Sequence, residues 1–345
     1  MDLGQIQKMF FNILAHAVEY NVKFVEFIWH GGEPLLFKPS FFREIGRLQV
    51  AIFGTKVTVT NTVQTNLVAL NRDMLSFLAE RSFFDGIGVS FDPYRSQRVD
   101  TRGKLRTETV TKNMQTLIDR KIPFGVITVI TRDTLQSVSD TFDFFDTLNI
   151  GHRFLPYYKS ANPEQARIHS ITYDEVLLSY MQIVDAWFVS ANAPQSYPIE
   201  EYMVYAQRSV AGAVPEYFDY EQQEFVFIVD VDGGTWGVMG AYEPGAKYGG
   251  LFDQDFTEIL AANSRQVLKD EIRGRTATHC GSCQYYGACP GKYMAQATAE
   301  ERELIDTRGC IVKDVIAHIL LRCEQTGMAL TFARPGLSSG LAAAG

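Results

Sequence analysis

Four cysteines stand at spacings that suit a metal centre: Cys280-Gly281-Ser282-Cys283, then Cys289 after five residues and Cys310 after twenty more. A pair separated by two residues can aim both thiolates at one point, and more distant partners close the site from elsewhere in the fold. Four thiolates suit either zinc or an iron–sulfur cluster, and spacing alone does not separate them. All five cysteines lie between Cys280 and Cys323. Cys323 falls on an apolar helical stretch and is expected to be a packed thiol rather than a ligand.

A second candidate site lies near the N-terminus. His30-Gly31-Gly32-Glu33-Pro34 follows the apolar run Phe24 to Trp29, where an α/β protein carries its ligand-contacting loops at the carboxyl ends of strands. Two glycines bare the backbone for a small ligand, Glu33 adds a carboxylate, and Pro34 stiffens the exit. The alternative is a tight turn without a ligand, since glycine punctuates loops everywhere. Gln64-Thr65-Asn66 and Ser90-Phe91-Asp92 stand at the ends of the next two strand-like runs. Taken singly, such residues are turn formers and caps; at successive strand ends they form a set.

The elements that position these residues alternate. Helical spacing of Ile6, Met9, Phe10, Ile13, Leu14 and Ala17 precedes the Phe24 to Trp29 strand. Then come a helix over 40–50, a strand in 56–64, a helix over 71–81 and a strand at 86–90. A helix with Val110, Met114, Leu117 and Ile118 on one face leads to a strand at 124–130, a helix over 135–148 and a strand near 153–157. Five strands alternating with helices imply a parallel sheet with crossover connections. A helix over 173–189 and an aromatic-rich segment follow. Residues 224–231 and 235–238, flanking Asp232-Gly233-Gly234, read as a β-hairpin. The cysteine segment reads as loop, an apolar helix spans 311–323, and the small residues of 336–345 read as a frayed end.

Composition bounds the partners. The 345 residues are 46% hydrophobic, enough for a large core and two unequal domains. A net charge of −8 spread along the chain disfavours nucleic acid. With neither a signal-peptide pattern nor a bilayer-length apolar run, no membrane association and a cytoplasmic location are expected. Thiols stay reduced there, which favours a metal site over disulfides.

Taken together, these motifs resemble those of the radical S-adenosylmethionine (radical SAM) enzymes that carry a SPASM domain and modify peptides or proteins, as the sulfatase maturases do. Gly31, Gly32, Glu33 and Pro34 are similar to the family's GGEP segment, which contacts the SAM amino group. Gln64-Thr65-Asn66 resembles its QTN segment and Ser90 with Asp92 its S-x-D segment. Arg102 lies where the family has an arginine that holds, with the serine, the cofactor's carboxylate. The resemblance implies SAM contacts from Gly31, Gly32, Glu33, Pro34, Thr65, Asn66, Ser90, Asp92 and Arg102, with Asn66 directed to the ribose.

The cysteine segment resembles the SPASM pattern, whose C-x2-C-x5-C plus a final cysteine bind one auxiliary [4Fe–4S] cluster. This implies Cys280, Cys283, Cys289 and Cys310 as its ligands. A second auxiliary cluster is not expected: Met239 and Tyr293 occupy ligand positions of the family pattern and are expected to pack in its place. Gly240 stands where sulfatase-maturating relatives have a catalytic aspartate, so no catalytic base is assigned.

Radical SAM chemistry also needs a C-x3-C-x2-C cluster loop after the first barrel strand, and no cysteine precedes Cys280. The expectation is an incomplete (β/α)6 partial TIM barrel over 1–215 lacking its first strand, a SPASM-like iron–sulfur domain over 216–330, and a flexible tail over 331–345. Losing that strand would bare the edge of the Phe24 to Trp29 strand, so truncation of an active enzyme is favoured over a relative that has shed the chemistry. The radical SAM cluster would return only with a restored N-terminus. The expected function is hydrogen abstraction from a peptide or protein, leading to a crosslink or oxidation, with flavodoxin or ferredoxin as reductant and Tyr157 and Tyr158 more apt for core than for cavity lining. Alternatives are a non-catalytic peptide-binding or electron-transfer partner with one cluster, and a structural zinc protein.

Overall fold

Apolar residues at helical spacing alternate with short apolar runs through the first two-thirds of the chain, and each run becomes a strand of one sheet. The computed structural model describes residues 1–94, 99, 102–157, 163–192, 194–220, 226–297 and 299–328, without the side chains of 163, 239, 299 and 300. The strands are β1 (Phe24–Trp29), β2 (Thr58–Thr65), β3 (Gly86–Ser90), β4 (Gly125–Ile130), β5 (His152–Pro156) and β6 (Ser196–Tyr197). They pair in chain order, every neighbour parallel. Parallel neighbours require crossovers, and helices α1 (Leu3–Glu19), α2 (Pro39–Phe53), α3 (Arg72–Glu80), α4 (Thr107–Asp119), α5 (Val138–Thr147), α6 (Pro163–His169) and α7 (Tyr173–Val189) supply the flanking layer. The sheet stays open, with β1 and β6 at its edges. This is the expected partial barrel, with β6 and α6 in addition to the elements read from sequence.

The start of α1 shows how local chemistry fixes an element. Asp2 accepts the Gln5 amide while the Gln5 side chain bonds the Asp2 amide, a reciprocal capping box. Ile6, Met9, Phe10 and Ala17 form the buried stripe of α1. Phe10 and Phe53 of α2 meet over Phe27 of β1, so the strand that carries the glycine pair rests on a packed aromatic layer.

The aromatic-rich segment after β6 is α8 (Ile199–Ala211), which buries Ile199, Tyr202, Met203, Tyr205 and Ala206. The hairpin is β7 (Phe227–Val229) and β8 (Gly234–Gly237), antiparallel, and β9 (Gly249–Gly250) adds a third strand. Helices α9 (Phe256–Leu260), α10 (Asn263–Cys280), α11 (Lys292–Gln296), α12 (Ala299–Arg308) and α13 (Ile311–Thr326) complete the described chain. The cysteine segment is thus less loop-like than its glycines suggest, because Cys280 ends an eighteen-residue helix. Residues 336–345 lie outside the described residues. No helix among the described residues is long and apolar enough to cross a membrane.

The C-terminal segment grips the sheet at two places. On the β1 side, Asn12 Nδ2 of α1 donates to the carbonyls of Leu251 (2.7 Å) and Gln254 (3.1 Å), and His16 Nδ1 meets Thr257 Oγ1 at 3.1 Å. On the β5 and β6 side, α13 packs on α7 and α8, where Asp185 Oδ1 bonds His318 Nε2 and pairs in charge with Arg322, each at 2.9 Å.

Candidate cofactor site and metal centre

The loop after β1 is built around Glu33. Gly31 and Gly32 both take positive φ, +86° and +56°, a pair of conformations that side-chain-bearing residues rarely adopt together. Glu33 caps the 3-10 turn Pro34–Leu36 through Leu35 N–H to Oε1 at 3.0 Å. Thr65 Oγ1 donates to the same oxygen at 2.6 Å, and Asn66 N–H donates to Oε2 at 2.8 Å. One carboxylate therefore ties the end of β1 to the end of β2. A carboxylate has about four acceptor sites, and three are filled within the protein, which leaves room for one further donor.

The end of β2 is equally constrained. Thr65 is buried, and its hydroxyl also accepts the Leu67 amide at 2.9 Å. Leu67 is fully buried at φ +55°, a left-handed conformation costing about 1–2 kcal/mol in a residue with a Cβ. Asn113 Nδ2 on α4 holds its carbonyl at 2.8 Å. Asn66 turns its Oδ1 back to the Val68 amide at 2.9 Å, so its NH2 end is the part that can face a ligand.

Ser90 ends β3 and accepts Gln64 Nε2 at 2.8 Å. That approach depends on Gly88: a Cβ there would stand 2.0 Å from Gln64 Oε1. Asp92 is buried, and its Oδ1 accepts Thr128 Oγ1 and the Val129 amide, both at 2.8 Å, so it braces β3 against β4. Arg102 stands exposed in the next loop, near the Val99–Leu105 bridge. The structure thus joins Glu33, Thr65 and Asn66 directly, sets the Gln64–Ser90 pair on the neighbouring strands, and turns Asp92 inward toward β4. The partners Leu35, Thr128 and Val129 carry no pattern that marks them in the sequence.

Cys280, Cys283, Cys289 and Cys310 line one cavity with Tyr285, Tyr286, Tyr293 and Ile316. Cys280 comes from the end of α10, Cys283 and Cys289 from the following turns, and Cys310 caps α13. Burial pushes the Cys280 and Cys289 thiols up to about 12 and Cys310 up to about 11, with the neighbouring cysteines adding to the shift. Backbone amides oppose it: Val312 and Lys313 bond Cys310, and Gly291 bonds Cys289. Amides aimed at thiolate sulfur are among the interactions that stabilise cysteine-ligated clusters. The four thiols share this one cavity, and a four-cysteine donor set fits an iron–sulfur cluster.

Tyr293 lines this same cavity, half-buried. The side chain of Met239 lies outside the described residues. A Cβ at Gly240 would come 2.4 Å from the Ala246 Cβ, so the backbone there admits no side chain without moving. Cys323 is partly buried and packs on the core around α7, α8 and α13. Tyr157 is half-buried with its ring edge-on to His169, and Tyr158 lies outside the described residues.

The chain is thus an open parallel α/β sheet, with the Glu33 loop at its strand ends, joined to a hairpin and a four-cysteine cavity. In sequence and in fold it is similar to the anaerobic sulfatase-maturating enzymes. A cysteine-type enzyme of this name from Clostridium novyi (strain NT) is 20% identical over 278 residues, 76% of this chain and 71% of the relative. A serine-type one from Klebsiella aerogenes is 23% identical over 159 residues, 46% and 38% of the two chains. The solved structure of native anSMEcpe with bound AdoMet and the peptide Kp18Cys superposes with a TM-score of 0.71 at 17% identity, covering 94% of this chain and 90% of that one. No protein-family model matches the chain.

Proposed function

We propose that this chain is the SAM- and peptide-binding body of a radical SAM/SPASM enzyme that modifies a peptide or protein and carries one auxiliary [4Fe–4S] cluster. The observation that carries the reading is the junction of Glu33, Thr65 and Asn66 at adjacent strand ends, in a chain whose four cysteines share one cavity. The working division is a barrel over 1–215 and a cluster segment over 216–330.

At the strand ends, Gly31 and Gly32 present bare backbone, and the remaining acceptor site of Glu33 takes an ammonium proton. Ser90, already polarised by Gln64, and Arg102 receive a carboxylate, while the Asn66 NH2 end reaches ribose hydroxyls. Asp92 and Thr65 hold the strand ends at the separation this requires. Cys280, Cys283, Cys289 and Cys310 would hold the auxiliary cluster, which supplies one-electron transfer when bound, fed by a flavodoxin- or ferredoxin-type reductant. Tyr285, Tyr286 and Ile316 exclude water from its site. Four thiolates suit either metal, and the likeness to the sulfatase-maturating enzymes favours the cluster over zinc.

Hydrogen abstraction from a peptide, the chemistry expected of the class, also needs a SAM-chelating cluster. These 345 residues hold no cysteine before Cys280, so the barrel residues present supply no thiolate ligand for that cluster. A second reading is a peptide-binding or electron-transfer partner with one cluster. Gly240 adds that the base position of sulfatase maturases cannot be filled here.

Anaerobic reconstitution followed by iron and sulfide analysis and equilibrium SAM binding tests the proposal. The expected result is about four iron and four sulfide per chain, lost in Cys280→Ser, and SAM affinity weakened about tenfold or more, about 1.4 kcal/mol, in Glu33→Ala. Stoichiometric zinc with no iron, or SAM binding indifferent to Glu33, would overturn it. Formation of 5′-deoxyadenosine by the loaded protein separates the enzyme from the partner reading.

A further inference from the structure

Outside the two sites, a set of partly buried charged side chains joins β5, β6 and α8 to the start of α11. Glu201 on α8 accepts the Tyr205 hydroxyl at 2.7 Å and Lys292 Nζ at 3.2 Å, and also bonds the Tyr197 hydroxyl. The Tyr197 ring in turn meets two cations, with the Arg153 guanidinium 4.5 Å and the Lys292 ammonium 5.9 Å from its centroid. Glu201 and Lys292 are both largely shielded, their side chains 22% and 30% exposed. Exposed ion pairs are screened by water and contribute little; this one is held by two tyrosines and is screened less.

The set touches the cysteine cavity by two routes. Tyr205, 8% exposed, belongs to the same core as Cys289 and is within electrostatic reach of both Cys289 and Glu201. Lys292 begins α11 and directly follows Gly291, whose amide bonds Cys289 and whose backbone passes Cys280 so closely that a Cβ would stand 3.5 Å from its sulfur. Moving the Lys292 side chain therefore moves a neighbour of two cavity cysteines.

We propose that Lys292 is a positioning residue for the cluster and that the Lys292–Glu201 pair sets its reduction potential. The inference rests on the reading that Cys280, Cys283, Cys289 and Cys310 hold an iron–sulfur cluster. On reduction the cluster gains one electron and becomes one unit more negative, so a nearby cation stabilises the reduced form and a nearby anion opposes it. In the pair the two charges oppose one another. Removing the lysine leaves an unbalanced carboxylate on the Tyr205 hydroxyl, whereas neutralising the glutamate leaves an unbalanced ammonium next to Gly291.

The test is an EPR-monitored potentiometric titration of the reconstituted full chain, with dithionite as the one-electron donor and iron content measured on each sample. Lys292→Met is expected to lower the potential relative to the unsubstituted protein and Glu201→Gln to raise it. The double variant is expected to return toward the starting value, Lys292→Arg to stay near it, and Arg47→Gln, an exposed charge on α2, to leave it unmoved. Opposite signs are the decisive feature, because loosened packing would shift both single variants in one direction. Equal potentials, shifts of the same sign, or loss of the cluster from every variant including Lys292→Arg would overturn the proposal while leaving the cluster reading intact. Absence of iron from the unsubstituted chain would overturn both.

Discussion

His152 shows how a single side chain ties the sheet to pH. It opens β5, is 2% exposed, stacks on Phe145 at 5.0 Å, and meets Phe142 and Phe154 edge-on. Its Nδ1 donates to the Ile150 carbonyl at 3.1 Å, and Nε2 is buried without a partner. Burial lowers its pKa from 6.5 to about 4. The unfolded chain therefore binds the proton more readily, so the stability from neutral His152 is complete above pH 6.5 and is lost as pH falls toward 4. With about 1.4 kcal/mol per pKa unit the loss is about 3 kcal/mol. Urea midpoints measured at pH 7.5 and 4.5 should show this loss, and His152→Phe should remove much of it. The residue scale is also where sequence was least legible at the candidate site. Glu33, Thr65, Asn66 and Ser90 stood out because they end apolar strands. That Glu33 reaches Thr65 and Asn66, and that Asp92 braces β4, depends on partners 32 to 37 positions away in the chain, which no local pattern records.

Elements were legible in proportion to how strongly one face is apolar. Phe24–Trp29 and Gly86–Ser90 are strands with the expected bounds, because each is a short run closed by turn residues. The two-residue β6 has no such run. Helix α10 buries only Leu268, Lys269, Ile272 and Cys280 along eighteen residues, too sparse a stripe to stand out from a loop, although it delivers the first cysteine. Helix α13 is the opposite case: Ile311, Val312, Val315, Ile316 and Ile319 are all buried against α7 and α8, and its cap is Cys310. One element thus closes the core and presents one of the four cavity cysteines. Ile316 lines the cysteine cavity and is fully buried. Ile316→Ala should destabilise the fold by about 2–5 kcal/mol and release iron faster under chelator challenge than a substitution on the exposed face, such as Leu321→Ala.

At the scale of the whole molecule, the proposed boundary near residue 215 does not divide the hydrophobic core. One cluster of buried side chains joins Ile6, Met9 and Phe10 of α1 to Trp236, Tyr248, Leu251, Phe252 and Ile259 of the hairpin segment. A second joins Phe154, Tyr180 and Tyr205 to Tyr285 and the buried face of α13. Each half of the chain therefore completes a core of the other, and the backbone amides of Glu216 and Phe218 bond the cysteine loop at the carbonyls of Gly287 and Pro290. Two units that share buried surface in this way are expected to unfold together, because neither can keep its apolar face dry alone. Unfolding in urea, followed by tryptophan fluorescence and by far-UV circular dichroism, should give coincident transitions. Leu251→Ala removes a fully buried side chain from the junction at a cost of about 2–5 kcal/mol, and it should move both signals to the same lower midpoint. A variant that shifted only one signal would mean that the barrel and the cluster segment fold separately. The shared core would then be only an interface, and a barrel ending near residue 215 would stand on its own.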